Sequence, residues 1–133
     1  MKNFWKNKKV LITGHTGFKG SWLSLLLKYL DCEIFGISSE KREGIYNLSS
    51  IDAILNEELF IDISDINKNK IFQTAIKNFD PDIVFHFAAQ SLVIEGFKNP
   101  RKTITSNILG PFNLIENLNA VFNEMTVVVA TTD

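Results

Sequence analysis

Cysteine is almost missing: Cys32 is the one thiol in 133 residues. That excludes an internal disulfide and a cysteine-built zinc site, and Cys32 reads as a small buried hydrophobe. Histidine is nearly as scarce. His15 and His86 stand far apart with no third ligand beside them, so no metal site is expected. An excess of one charge is lacking too, since 14 basic and 15 acidic side chains leave a formal charge of −1. This balance gives no general pull toward nucleic acid or an anionic membrane, and neither is an expected partner. The longest apolar run, residues 22–27, is interrupted by Ser24 and is far too short to cross a bilayer. Residues 1–6 carry charge with no apolar stretch behind them, so no secretory leader is read and a cytoplasmic protein is expected. Repeats, proline-rich linkers and low-complexity tails are also missing.

What remains is 45% hydrophobic and 22% charged, ordinary for a folded domain. The length suits one domain with a real core. Short β-branched runs alternate with longer stretches of helical spacing. The pattern predicts strands at 9–13, 33–38, 59–61, 83–87 and 127–130. It predicts helices at 18–30, 67–78 and 103–123, the second ended by Asp80-Pro81, with a loop and a short helix at 51–55. The rows Trp22, Leu23, Leu26, Leu27, Leu30 and Ile104, Ile108, Phe112, Ile115, Leu118 read as core faces. Strands spaced by helices imply parallel crossovers with both sheet faces covered. The expected class is α/β, a doubly wound parallel sheet in the order 3-2-1-4-5. Its ligand crevice would lie at the strand ends between the first and fourth strands.

The sharpest local feature is Gly14-His15-Thr16-Gly17-Phe18-Lys19-Gly20, set between the first strand and the first helix. Glycines at 14, 17 and 20 permit a tight turn, a close approach of pyrophosphate to backbone, and close helix–strand packing. The helix start then offers free N–H groups and a positive dipole end to phosphates. Strand, turn and helix in this order point to a dinucleotide-binding Rossmann unit. A P-loop needs Lys directly after its second Gly, whereas Lys19 precedes Gly20-Ser21.

The acidic residue expected some twenty positions further on is missing. Ser38 and Ser39 stand in its place, followed by Glu40, Lys41 and Arg42. A serine discriminates weakly against a 2′-phosphate and Arg42 would welcome one, so chemistry alone leaves NAD and NADP both open. Lys41-Arg42 also reads simply as a solvated loop. Asp62 with Ile63 suits adenine, and Asp62 suits equally the capping of the next turn, together with Asp65. Taken alone, His15 reads as a solvent-exposed turn residue and His86 as a satisfied, half-buried histidine. Asn107 inside a helix hints at a tertiary hydrogen bond.

Taken together, these features resemble the extended short-chain dehydrogenase/reductase family of nucleotide-sugar enzymes. The matching elements are Gly14-x-x-Gly17-x-x-Gly20, Asp62-Ile63, His86-Phe87-Ala88-Ala89-Gln90, Asn107-x-x-Gly110 and Thr131-Thr132-Asp133. Within that family the likeness is to the dehydratase branch whose substrate is CDP-glucose. The whole glycine turn, the following Trp22-Leu23-Ser24-Leu25, the lead-in Phe4-Trp5 and Ile83-Val84-Phe85-His86 agree with it. The likeness covers essentially all 133 residues, which correspond to the first part, under half, of such an enzyme.

The resemblance implies NAD as cofactor. Gly14, His15, Thr16, Gly17, Phe18, Lys19 and Gly20 would surround its pyrophosphate, and Asp62 and Ile63 its adenine. Ser38 would face the ribose. Phe87, Ala88, Ala89 and Gln90 would follow the ribose and nicotinamide, with Asn107 supporting that backbone. Thr132 would hydrogen-bond the sugar and Asp133 would act as the acid for loss of water at C6. The implied reaction is oxidation at C4 of glucose, loss of water across C5 and C6, and reduction at C6. It yields CDP-4-keto-6-deoxyglucose and regenerates the cofactor each turn.

Three departures accompany the likeness. The family's Tyr-x-x-x-Lys pair and substrate domain are not among these residues, nor is the lysine that follows Asp133, so residues 1–133 read as a truncated cofactor-binding domain, inactive alone. Ser91-Leu92-Val93-Ile94 replaces Pro-Leu-Val-Arg, and Gly96-Phe97 replaces Ser-Tyr. Rival readings are an epimerase or reductase of the same family and a non-catalytic NAD-binding module. A homodimer through the long helix is expected of a full-length enzyme.

Overall fold

The computed structural model describes residues 2–121 and 124–131. Its centre is a five-stranded parallel sheet in the order β3-β2-β1-β4-β5. The strands are β1 (Lys9–Thr13), β2 (Glu33–Ser38), β3 (Glu57–Phe60), β4 (Ile83–His86) and β5 (Thr126–Val129). This is the expected order, and β1 sits in the middle, paired with β2 through Leu11↔Phe35 and with β4 through Leu11↔Val84. Alternation along the strands splits the core in two. Leu11, Phe35, Ile37 and Val84 join Phe72, Ile76, Phe79, Leu114 and Leu118 on one face. Val10, Ile12 and Ile34 join Leu27, Leu30 and Cys32 on the other. Both faces are covered, which is why these strands read as continuous apolar runs.

The helices are α1 (Lys2–Trp5), α2 (Phe18–Tyr29), α3 (Ile45–Leu48), α4 (Ile51–Ile54), α5 (Asn69–Phe79), α6 (Val93–Lys98), α7 (Pro100–Ile104) and α8 (Gly110–Asn119). A 3-10 turn at Ile66–Lys68, capped by Asp65, leads into α5. Asp80 ends α5 in the left-handed conformation, with its N–H donating to Ile76 O at 2.8 Å. α3 had no clear signal in the sequence.

The single helix expected at 103–123 is instead α7, a π turn at Thr105–Leu109, and α8. Pro111 has no N–H to donate and its ring crowds the preceding turn; the hydrogen-bond ladder widens just before it. The last part of that expected helix, residues 122–123, lies outside the described residues.

Two expected core rows are only partly borne out: in the first, Leu27 and Leu30 are buried and Leu23 packs against them, but the rest turns outward. Trp22 and Leu26 are more than half exposed, while Gly20, Ser21, Ser24 and Leu27 face the sheet. Ser21 Oγ donates to His15 O at 3.0 Å and Ser24 Oγ to Gly20 O at 2.9 Å. α2 lies so close to the glycine turn that only small side chains fit beneath it. Along the α7–α8 segment, Ile104, Ile108, Phe112 and Ile115 are exposed, and of that row only Leu118 is buried. The inner face carries Asn113, Leu114 and Asn117. The inward amides answer polar backbone, as where Asn113 Nδ2 donates to the Ile63 carbonyl.

Candidate functional site

The carboxyl ends of the strands open into a cleft of about 570 Å³. Its floor is the turn between β1 and α2. Gly14 has φ +79°, and a Cβ there would lie 2.6 Å from Ala88 N and 2.7 Å from Phe87 C. A Cβ on Gly20 would run into the Gly14 carbonyl and lie 2.6 Å from His15 Cα. Gly17 is different: its φ of −77° suits any residue, and a Cβ would only press on Gly14 O at 3.3 Å. The first intrahelical bond here is Ser21 N–H to Gly17 O at 2.9 Å. The amides of Phe18, Lys19 and Gly20 therefore precede any intrahelical acceptor, at the positive end of the helix dipole.

Of the residues expected at the site, Gly14, Thr16, Gly17, Ser38, Asp62, Ile63, Phe87, Ala88, Ala89 and Gln90 line this cleft. Phe18 and Lys19 sit exposed on the first turn of α2, and Gly20 is buried behind Gly14. Asp62 Oδ1 accepts from Ser64 N at 2.9 Å and from Ser64 Oγ at 2.7 Å. One carboxylate oxygen thus caps the turn while the residue also forms cleft wall. Thr132 and Asp133 lie outside the described residues.

His15 is not an exposed turn residue; it is fully buried. Its Nε2 meets Glu58 Oε1 at 2.7 Å and its Nδ1 meets Ser38 Oγ at 3.1 Å. Tyr46 O–H donates to the same Glu58 oxygen at 2.6 Å, and burial followed by that carboxylate pushes the phenol above its ordinary value. The ring fits only because residue 36 is glycine, where a Cβ would stand 2.6 Å from His15 Cγ. Gly36, Tyr46 and Glu58 carried no sequence signal, since each looks ordinary until the chain closes.

Asn107, in the π turn, braces the opposite wall. Gln90 N–H donates to its Oδ1 at 2.8 Å, and its Nδ2 donates to Gln90 O at 2.9 Å. This is the tertiary hydrogen bonding that its helical position suggested. α6 and α7 also contribute Glu95, Arg101 and Lys102 to the wall. The signal for that turn was Asn99-Pro100, with Asn99 Oδ1 accepting from Lys102 N at 3.2 Å and proline at the first helical position.

His86 Nδ1 and Thr13 Oγ1 are 2.6 Å apart, and Ala88 N–H donates to the same hydroxyl at 3.4 Å. With the ring neutral, Thr13 donates to the nitrogen and accepts from Ala88, which fixes the backbone at the cleft edge. Burial holds the His86 ring down at about 4, against an ordinary 6.5. The unfolded ring therefore takes a proton at higher pH than the folded one, and the stability this gives is whole above pH 6.5 and drains away as pH falls toward 4. Urea unfolding of wild type between pH 7 and pH 4.5 is expected to show about 2 kcal/mol of loss that a His86→Gln variant lacks. Equal losses in the two proteins would remove His86 from the acid response.

Among the described residues no group of three or more His, Cys, Asp or Glu side chains is placed for a metal. None of their helices is long and apolar enough to cross a membrane. A cradle of bare backbone at a helix start, continuous with a long groove, fits a dinucleotide. Positions 14 and 20 lack room for even a methyl group, and position 17 faces the groove.

A family model described as GDP-mannose 4,6 dehydratase matches residues 11–133. The CDP-glucose 4,6-dehydratase of Salmonella typhimurium is 39% identical over 132 residues, covering 99% of this chain and 36% of that protein. The GDP-mannose 4,6-dehydratase of Yersinia enterocolitica is 31% identical over 115 residues, covering 82% of this chain and 30% of that protein. The chain thus spans about a third of the length of these curated relatives. Among solved structures, a UDP-glucose-4-epimerase from Stenotrophomonas maltophila with bound NAD and formylated UDP-arabinopyranose superposes with a TM-score of 0.76 at 24% identity, over 92% of this chain and 36% of that one. That likeness establishes the fold.

Proposed function

This chain belongs to the GDP-mannose 4,6-dehydratase family of nucleotide-sugar dehydratases and epimerases, and from that premise we propose that residues 1–133 form the NAD-binding domain of a CDP-glucose 4,6-dehydratase. The observation that carries the proposal is the turn at Gly14–Gly20, bare of side chains where it meets the strand rim. Support for CDP-glucose over other sugar nucleotides is the 39% identity along 99% of the chain, against 27–31% for the dTDP-glucose and GDP-mannose enzymes.

In this reading the amides of the α2 start and the glycine turn hold the cofactor's diphosphate. Asp62 and Ile63 flank the adenine. The segment Phe87–Gln90, braced by Asn107, runs beside the ribose and nicotinamide. Bound there, NAD supplies reversible two-electron exchange with the sugar at C4 and C6. Thr132 hydrogen-bonds the sugar and Asp133 gives a proton to the C6 hydroxyl as it leaves, roles carried by the resemblance of the Thr-Asp pair. No Tyr-x-x-x-Lys pair occurs within these 133 residues, so this reading assigns them cofactor binding and the Thr-Asp pair and no proton acceptor of that type. The outward row of Ile104, Ile108, Phe112 and Ile115 supports a homodimer of the full-length enzyme.

Gly17→Val separates binding from folding, because its backbone angles suit valine and only the Gly14 carbonyl presses on it. Calorimetry is expected to show NAD binding to wild type and a loss of about a hundredfold or more in Gly17→Val, with circular dichroism unchanged. Equal affinity would take the turn out of the site. For the substrate, this chain replaces the matching third of the Salmonella enzyme. A folded, NAD-loaded chimera should convert CDP-glucose to its 4-keto-6-deoxy product and leave GDP-mannose unchanged. A loaded chimera that dehydrates neither, or prefers GDP-mannose, overturns the substrate assignment.

A further inference from the structure

We infer that Asn113, on the buried side of α8, is a positioning residue for recognition of the base: its hydrogen bond to the Ile63 carbonyl holds the loop after β3 in the shape that reads adenine. The inference rests on the dinucleotide reading above and deepens it.

Adenine presents an amino group at C6 as donor and N1 as acceptor, so the protein must offer an acceptor and a donor side by side. Asp62 and Ile63, both lining the cleft, supply such a pair. Asp62 spends Oδ1 on Ser64 and keeps its second oxygen. The Ile63 N–H has no acceptor among the described residues. A pair of this kind discriminates between bases only while the backbone carrying it is held still.

Hydrogen bonds hold that backbone on both sides of the Asp62–Ile63 peptide. Before it, Ile61 N–H donates to Ser38 O at 2.9 Å. After it, Asn113 Nδ2 donates to Ile63 O. The same Nδ2 donates to Asn69 Oδ1 at 2.9 Å, so one amide group joins the loop, α5 and α8. Gly110, one turn earlier on α8, brings the helix against the loop: a Cβ there would lie 3.9 Å from Ile63 Cγ1.

Packing alone does not account for an asparagine at this position. The residue is 3% exposed, and its Oδ1 is buried with no partner among the described residues. An orphaned acceptor is costly. An aliphatic side chain would avoid that cost, as the neighbouring Leu114 does in the core. What it would lack is a donor for Ile63. The carboxamide is therefore placed for its Nδ2, and the Nδ2 is spent on the loop.

Titration calorimetry of the chain with NAD and with nicotinamide hypoxanthine dinucleotide tests this. Hypoxanthine reverses both groups, carrying a carbonyl at C6 and a hydrogen on N1, and mismatches Asp62 and Ile63 alike. Wild type is expected to prefer NAD about tenfold or more. In Asn113→Ala the preference should fall to about threefold or less, through weaker NAD binding with the analogue nearly unchanged. Asn113→Ser leaves a smaller gap and carries the same expectation if the alanine variant does not fold. Asn69→Ala removes only the other partner of Nδ2 and should keep the wild-type preference. An unchanged preference in a folded Asn113 variant overturns the inference and leaves the dinucleotide site standing. So does an equal loss of preference in Asn69→Ala. A wild type that binds the two dinucleotides alike takes adenine away from this loop, and the inference with it. Binding of neither overturns the cofactor reading itself.

Discussion

Replacing Gly14 with alanine is expected to cost roughly 3 kcal/mol of stability, lower the melting temperature by about 10 °C and abolish dinucleotide binding. Two costs combine. The backbone at 14 has φ +79°, where an L side chain costs about 1–2 kcal/mol. The new Cβ would also lie 2.6 Å from Ala88 N, 2.7 Å from Phe87 C and 2.9 Å from Ala88 Cα. All three are backbone atoms at the end of β4, so no rotamer change relieves the clash. Overpacking of that kind adds about 1–3 kcal/mol. Gly44 is the control, since its φ is +115° but nothing lies within 4 Å of an added Cβ. Gly44→Ala should therefore show backbone strain alone, about 1–2 kcal/mol and less than Gly14→Ala. Thermal melts of the two variants compare strain alone with strain plus contact, and similar melts would mean that the turn and β4 are not so tightly apposed.

Gly36→Ala is the second large effect, with an expected cost of about 2 kcal/mol in the wild-type background. Alanine is otherwise preferred to glycine in a strand, so the sign of this result is diagnostic. The added methyl would stand 2.6 Å from His15 Cγ and 2.7 Å from Cδ2. The ring cannot swing aside, because Glu58 and Ser38 hold its two nitrogens. In a His15→Ala background the space is free, and Gly36→Ala should cost less than about 0.5 kcal/mol. A double-mutant cycle by urea unfolding reads the coupling directly. Equal costs in both backgrounds would show that the ring does not fill the space above residue 36.

Much of this architecture was readable before any coordinates. Strand–helix alternation gave the sheet order, because parallel neighbours require crossovers and crossovers restrict topology. The glycine turn was readable because its spacing reflects local backbone demands. The facing of α2 and of the α7–α8 segment was not. Hydrophobicity marked Trp22, Leu26, Ile108 and Phe112 as interior, but α2 approaches the turn so closely that Gly20, Ser21 and Ser24 take that place. On α8, Asn113 and Asn117 face inward to satisfy partners, a demand set by distant backbone and neighbouring helices. His15 was misread for a related reason. Its partner Glu58 lies 43 residues away, and Gly36 makes room for it from another strand. Local pattern carries no trace of such a meeting.

The two hydrogen bonds between Asn107 and Gln90 have a thermodynamic consequence. Gln90 lies past the end of β4, in a stretch without a neighbouring strand, yet both its peptide groups are satisfied by one carboxamide. Ordering a backbone residue costs roughly 1–2 kcal/mol of entropy, and here folding has already met that cost. A ligand entering beside Gln90 finds a rigid edge, so its contact energy there goes into affinity instead of taming a loop.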